Sequence, residues 1–366
     1  MVKSSTALAM LLFFFCSSTT WAAESKSGSP AAWERTLAEA KKEGKVIIAA
    51  PPVPSHREAL VKFQEAYPDI RLEYNGLAPV QYETRIAKER QLGQYLWDLI
   101  VTGIGSTLFQ TQIPGGWHDP LKPALILPDV LDDKKWLGGF DAGFMDKGKR
   151  YAYAFNLNVT YNFFVNRDAI PEPALQKVED LLDPRWKGKI AFRDPRISDA
   201  GTASLAHVRK MLGDEQTKKL LVDQQPVFTQ DGRQLAEWVV RGRYPIGIAL
   251  SFTDVARFQK EGVGLNVKRI QLPIERVTAG WGGVMLMNRA PNPNAAKVFL
   301  NWLLGKEAQA AFAKLGSVNS RRLDVEPGDP AGVVDSKKSE SYLNFIQEEN
   351  QWMTAEAIKF ARELIK

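Results

Sequence analysis

KIAFRDPRISDAGTASLAHVRKMLG, Lys189 to Gly213, reads as a strand, a polar loop and a helix. Lys189 to Phe192 suits pairing in a sheet, and Asp194-Pro195 stops it, because proline has no amide hydrogen to give a ladder. Leu205, Val208 and Leu212 then recur at helical spacing, Arg209 and Lys210 fill the last turn, and Gly213 follows as a stop. The helix is expected to begin between Ser198 and Thr202, among small residues that leave its first backbone amides open. The positive end of the helix favours an anion there by roughly 0.3–1 kcal/mol. An ordinary capped helix on a surface loop reads the same way, and Asp199 would compete for the same amides if it caps the helix.

Working outward from this block, the preceding chain alternates strands and helices. Trp33, Leu37 and Ala40 share a helix face that ends at Gly44, and KVIIAA, Lys45 to Ala50, is a continuous apolar strand of the kind buried on both sides of a parallel sheet. Pro51, Pro52 and Pro54 stiffen the next loop, with Ser55 expected as the N-cap of a helix carrying Leu60, Phe63 and Tyr67. Ile70, Leu72 and Tyr74 alternate as a strand, a polar helix runs to Gln94, and WDLIV, Trp97 to Val101, opens onto TGIGST, Thr102 to Thr107. This order argues an α/β fold with functional loops at the carboxyl ends of the strands. TGIGST lacks the third glycine of a dinucleotide loop and the lysine of a phosphate loop, so both nucleotide motifs are rejected.

Tyr151 to Asn166 (YAYAFNLNVTYNFFVN) suits one long strand passing between domains, with Asn156 and Asn158 facing a cleft. LLDPRWKG, Leu181 to Gly188, is a turn into the opening block. Beyond that block come a helix with Leu235, Trp238 and Val239, a strand at Ile246 to Leu250, a turn at Ser251 to Asp254, a strand at Trp281 to Asn288, and two helices joined at Gly305.

The first residues read as an export signal: Lys3 gives a positive start, Ala7 to Cys16 is apolar, and the segment ends in small residues suited to cleavage after Ala22 or Ala23. Cys16 is the single cysteine of the 366 residues, so the exported chain is expected to hold no disulfide and to rely on core size. Lys and Arg (48) nearly balance Asp and Glu (42) and are interspersed, which offers no stripe for nucleic acid. An enzyme finds little support. His56, His118 and His207 stand in distant contexts without metal spacing, and no serine sits in a Gly-x-Ser-x-Gly elbow, although an exported hydrolase built on carboxylates such as Asp132 and Asp133 stays open.

Taken together, KVIIAAPP, WDLIVTGIGST, DLLDPRWKGKIAFRDPRISDAGT and MNRAPNPNAAKVFLNWLLGKEAQAAFAKLG make the chain similar to the type II extracellular solute-binding proteins of ABC importers, and among them it most resembles the ferric-iron-binding group. The resemblance implies a two-lobe α/β fold with mixed sheets flanked by helices and a hinge of crossing strands. It implies a signal peptide over 1–23, one lobe from 31–155 and 276–318, a second from 156–275, and a C-terminal helical segment, 319–366, bracing the second lobe. It further implies a monomeric periplasmic receptor that closes on a small solute and passes it to an ABC permease, with no cofactor, no resident metal and no catalysis.

The family's ligand-contacting loops fall on Ser55 and His56, on Gly105, Ser106 and Thr107, on Arg193 with Ser198, Gly201 and Thr202, and on Ser251 and Phe252. Asn158 would face the cleft, and Trp281, Phe252 and Tyr161 would stack on an organic body. The ferric-binding members carry adjacent tyrosines at the fourth place, where this chain has Ser251-Phe252. Ferric ion needs hard anionic oxygens, so an anionic or polar organic solute held by Arg193 or Arg196 is the expected ligand, with ferric iron as the alternative.

Overall fold

The computed structural model describes residues 29–160, 163–197, 200–270 and 274–366. The chain opens with α1 (Pro30–Glu43), β1 (Lys45–Ala50), α2 (Pro54–Ala66), β2 (Arg71–Gly76), α3 (Pro79–Gln91) and β3 (Leu99–Thr102). β1 lies between β2 and β3 and is parallel to both, and Val46, Ile48, Ala49 and Ala50 are fully buried, as an apolar strand covered on two faces requires. Ser55 does not cap α2. Val53 holds the N-cap and Pro54 the first helical position, where a residue without an amide proton costs the helix nothing.

β4 (His118–Asp119), the short α4 (Pro128–Leu131) and β5 (Tyr153–Ala154) follow. The expected long strand Tyr151 to Asn166 divides into β5, β6 (Asn158–Thr160) and β7 (Phe163–Asn166), and each piece belongs to a different sheet. The breaks fall where the backbone changes partner. Phe155 donates to Gly282 O, but Leu157 donates to Asn319 O, so one continuous ladder is impossible.

The opening block forms β8 (Ile190–Arg193) and α5 (Ala200–Leu212), as the sequence predicts. Next come α6 (Asp214–Val222), β9 (Val227–Thr229), α7 (Gly232–Val240), β10 (Ile246–Ile248) and α8 (Phe252–Lys260), so the expected turn at Ser251 to Asp254 is the start of a helix. β11 (Val267–Arg269), β12 (Arg276–Thr278), β13 (Gly283–Met287), α9 (Pro293–Leu303) and α10 (Lys306–Gly316) bring the chain back to its first half. After Gly316 the chain holds only short 3-10 turns and β14 (Leu343–Asn344) before α11 (Gln351–Leu364). Pro327, Gly328 and Pro330 account for that: two residues lack amide protons, and Gly328 lies so close to Ala313 O that a Cβ would collide.

Three sheets result. The first runs β2-β1-β3-β13-β4, with β5 on β13; the second runs β11-β7-β10-β8-β9; the third, β14-β12-β6, carries the chain between them. Each large sheet owns a core. Ile48, Leu60, Phe63, Phe155 and Phe299 fill the first, and Phe163, Ile190, Phe192, Leu205 and Ile246 the second. Burying each such side chain contributes on the order of 1.5–3 kcal/mol as an upper bound. α11 adds Ala357 and Ala361 to the second core and packs on α5. Among the described residues no helix is long and apolar enough to cross a membrane.

Candidate functional site

In a mixed α/β sheet the loops beyond the carboxyl ends of the parallel strands are free of the crossover helices, and ligands settle there. The first sheet offers the loop after β3. Gly103 approaches the next loop so closely that a Cβ would lie 3.0 Å from Gly280 O and 3.5 Å from the Trp281 ring. Trp281, 38% exposed, therefore lies against this loop with part of its side chain open to solvent. Gly105 is exposed, and Ser106 and Thr107 are half-buried where the chain turns into a π-helical stretch, Leu108–Gln112. Such stretches recur at functional sites. The Thr107 hydroxyl is engaged with Glu83 of α3, whose carboxyl is raised by burial.

His56 takes a different position. It is 5% exposed, neither ring nitrogen has a partner, and the ring packs edge-on against Phe312 at 5.3 Å. Burial pushes its pKa down to about 4, so it is a neutral core ring at pH 7. His118 and His207 behave alike, pushed by burial to about 3 and about 4. His207 bonds Ile274 O at 2.6 Å and is a buried structural residue.

The second sheet gathers more charge. Parallel β9, β8 and β10 end side by side, and Asp194 N donates to Thr229 O at 2.9 Å. A Cβ on Gly232, the first residue of α7, would lie 2.9 Å from Arg193 Nη1 and 3.0 Å from Asp254 Oδ2, which places that guanidinium beside that carboxylate. Burial raises the Asp254 pKa, and Arg257 and Arg193 oppose the rise. Arg196 is held by Asp194, with Nη2 to Oδ2 at 2.6 Å and Nε to Oδ1 at 2.9 Å. Gly201 is fixed by contact: a Cβ would fall 2.4 Å from Arg193 O, so only glycine lets α5 start this close to β8. Thr202 is 1% exposed and donates to Pro195 O at 3.1 Å. Ser198 and Asp199 lie outside the described residues, as does Tyr161.

β10 is followed by Ala249, held left-handed at φ +63°, a conformation that costs an L-residue roughly 1–2 kcal/mol. It turns the chain into Ser251, the N-cap of α8, and Phe252. Arg269 of β11 lies over the Phe252 ring, its Cζ 3.9 Å from the centroid, and pairs with Asp329 at 3.1 Å. Asp329 is tied through its backbone to the Asn319 side chain, and Asn319 N donates to Asn158 Oδ1 at 2.7 Å. Asn158 thus holds the crossing strand to the returning chain. The sequence drew attention to Phe252 but not to Arg269 and Asp329, which lie 17 and 77 residues beyond it in the chain; cation and ring meet only through the β11·β7·β10 register.

The structure therefore gathers Arg193, Gly201 and Thr202 near the ends of β8 and β9, and Ser251 and Phe252 beyond β10. Trp281 joins the loop that leads to Gly105, Ser106 and Thr107, and His56 stays in the core. Among the described residues no three His, Cys, Asp or Glu gather as a metal cluster.

A family model for bacterial extracellular solute-binding proteins matches residues 58–332, more than half of the chain. A stretch of 161 residues is 28% identical to an uncharacterized protein of Haemophilus influenzae, covering 42% of this chain and 45% of that one, so the chain spans less than half the length of that relative. Iron-bound HitA from Pseudomonas aeruginosa superposes with a TM-score of 0.68 at 17% identity, covering 88% of this chain and 99% of that one. AfuA from Actinobacillus pleuropneumoniae with fructose-6-phosphate bound gives 0.63 at 20% identity, covering 88% and 98%. At these identities the two structures establish a common fold.

Proposed function

The chain belongs to the bacterial extracellular solute-binding proteins, and from that premise we propose that it is a periplasmic receptor of an ABC importer, exported by a signal peptide over 1–23. It closes on a small anionic or polar organic solute and delivers it to the permease. The observation that carries this reading is the arrangement of the two large sheets. The loops after β3 and β9 are polar and contain glycine, and the chain passes between the two sheets through the narrow β6 and β12 ladder, a hinge of the kind that lets two lobes close. The loop after β3 with Trp281, and the ends of β8 and β10 with Arg193, Gly201, Thr202, Ser251 and Phe252, form the two walls. Asn158 belongs to the hinge itself.

HitA binds iron and AfuA binds a sugar phosphate on this fold, so the fold admits either class. The residues here favour the organic acid. Phe252 contributes a ring where a ferric site needs an oxygen anion. Thermal melting with a panel of citrate, fructose 6-phosphate, an alkylphosphonate, spermidine and ferric citrate tests the proposal. A bound solute at a hundredfold excess over Kd stabilises the folded state by about 2.7 kcal/mol, which raises Tm by several degrees. An upshift with an anionic organic compound is the expected result; flat curves together with turnover of any compound would favour the exported hydrolase.

A further inference from the structure

We propose that Arg276 is the residue that neutralises the acidic group of the solute, through a guanidinium held in the crossing strands without a counter-ion among the described residues; this rests on the receptor reading above. Arg276 opens β12 and pairs with Thr160 of β6, while Thr278 pairs with Asn158. Val277 and Val159, paired between them, face a small core with Leu157, Val334 and Tyr342. Side chains alternate across a strand, so Arg276, Thr160, Asn158 and Thr278 share the opposite face, on the strands that connect the lobes.

Arg276 is 6% exposed. Its Nε is buried without a partner among the described residues, and burial is the sole influence resolved on its charge, with no carboxylate beside it among those residues. Its neighbours are the Phe345 ring, 5.9 Å from Cζ, and His207, which burial keeps neutral. Burial alone lowers the Arg276 pKa to about 10, which leaves the group charged at pH 7.

The remaining arginines of the region are already answered. Asp194 clasps Arg196, Asp254 stands beside Arg193, and Asp329 holds Arg269. Arg321 donates to Leu137 O and Arg322 pairs with two aspartates. A buried charge that the fold leaves unpaired costs stability, and an anion arriving with the solute would recover it. A planar fork selects two oxygens on one centre, so the matching group is a carboxylate or a phosphate monoester rather than a metal cation.

Arg276→Met and Arg276→Lys test the assignment by calorimetric titration and melting with citrate, fructose 6-phosphate and inorganic phosphate, with glucose and spermidine as uncharged and cationic controls. The expected outcome is that the ligand-free Arg276→Met protein melts at or above the wild-type temperature, while its affinity for the anion that binds wild type falls at least fiftyfold. Arg276→Lys keeps the charge without the fork and is expected to lose about fivefold to twentyfold; it also keeps the test alive should the methionine variant fail to fold. Unchanged affinity in both variants overturns the assignment. So does a wild type that responds to glucose or spermidine and to no anion, which leaves the receptor reading standing; a wild type that responds to none of the five probes counts against both.

Discussion

Arg322 and Arg276 are both buried, and they are buried differently. The Arg322 side chain is fully covered and fully answered: Nε and Nη2 bond Asp324 at 2.9 Å, Nη1 bonds Asp129 at 3.0 Å and Leu304 O at 3.1 Å, and the guanidinium lies 5.5 Å from the Trp136 ring. It ties the returning chain to α4 and the end of α9 in the first lobe. Arg276 has a comparable depth and none of these partners among the described residues. Desolvating a charge is offset only by close partners, so one site is complete within the fold and the other becomes complete when something binds. The histidines show a third solution, since His56, His118 and His207 are buried by giving up their charge.

The contrast is most exposed to Arg322→Met. Removing one partner of a buried network leaves the rest uncompensated, so urea unfolding should show a loss of about 3–5 kcal/mol. A change below about 1 kcal/mol would erase the distinction from Arg276. Arg269 offers an intermediate case, with one carboxylate and a side chain 17% exposed. Asp329→Asn keeps the backbone bonds to Asn319 but removes the charge, and is expected to cost about 1.5–3 kcal/mol. It should also weaken solute binding, because Arg269 would no longer be fixed over Phe252; equal affinity would detach that ring from the site.

The histidines sharpen the comparison through pH. Their folded pKa values lie below the ordinary 6.5, so between about pH 6.5 and 4 the unfolded chain binds more protons, and stability falls as pH falls through that window. His56→Leu should reduce the slope of unfolding free energy against pH by about 1.4 kcal/mol per unit near pH 5. An unchanged slope would mean that His56 keeps its charge in the fold. The smallest expected effect belongs to Trp281→Ala. Losing a stacking ring should cost about 1 kcal/mol of binding, roughly fivefold in Kd, with unfolding by urea barely altered.

Much of this was legible in the sequence, for local reasons. KVIIAA, the Gly44 stop and the strand, loop and helix of Lys189 to Gly213 are specified by apolar spacing and by proline and glycine placed where a strand or helix must end. Three short strands were not legible: β9, β11 and β12 have three residues each and lack the apolar run that marks the equally short β10. Tyr151 to Asn166 misleads for a related reason, since its composition suits a strand throughout while its hydrogen-bond partners come from three parts of the chain. The site residues divide in the same manner. Gly201 and Phe252 sit at helix starts a few residues beyond strands and can be read from the pattern. The unpartnered Nε of Arg276 among the described residues and the burial of His56 depend on what folds around them, and nothing adjacent in the chain records that.

On the proposed reading, a small organic acid occupies this receptor. A native mass spectrum of the protein purified from the periplasm without refolding tests it most directly. The expected result is a second species, heavier than the bare chain by the mass of one acidic organic molecule, which disappears on mild unfolding and returns when that molecule is added back. A single species at the mass of the chain plus one ferric ion, or a bare chain that takes up no organic acid on titration, would contradict it.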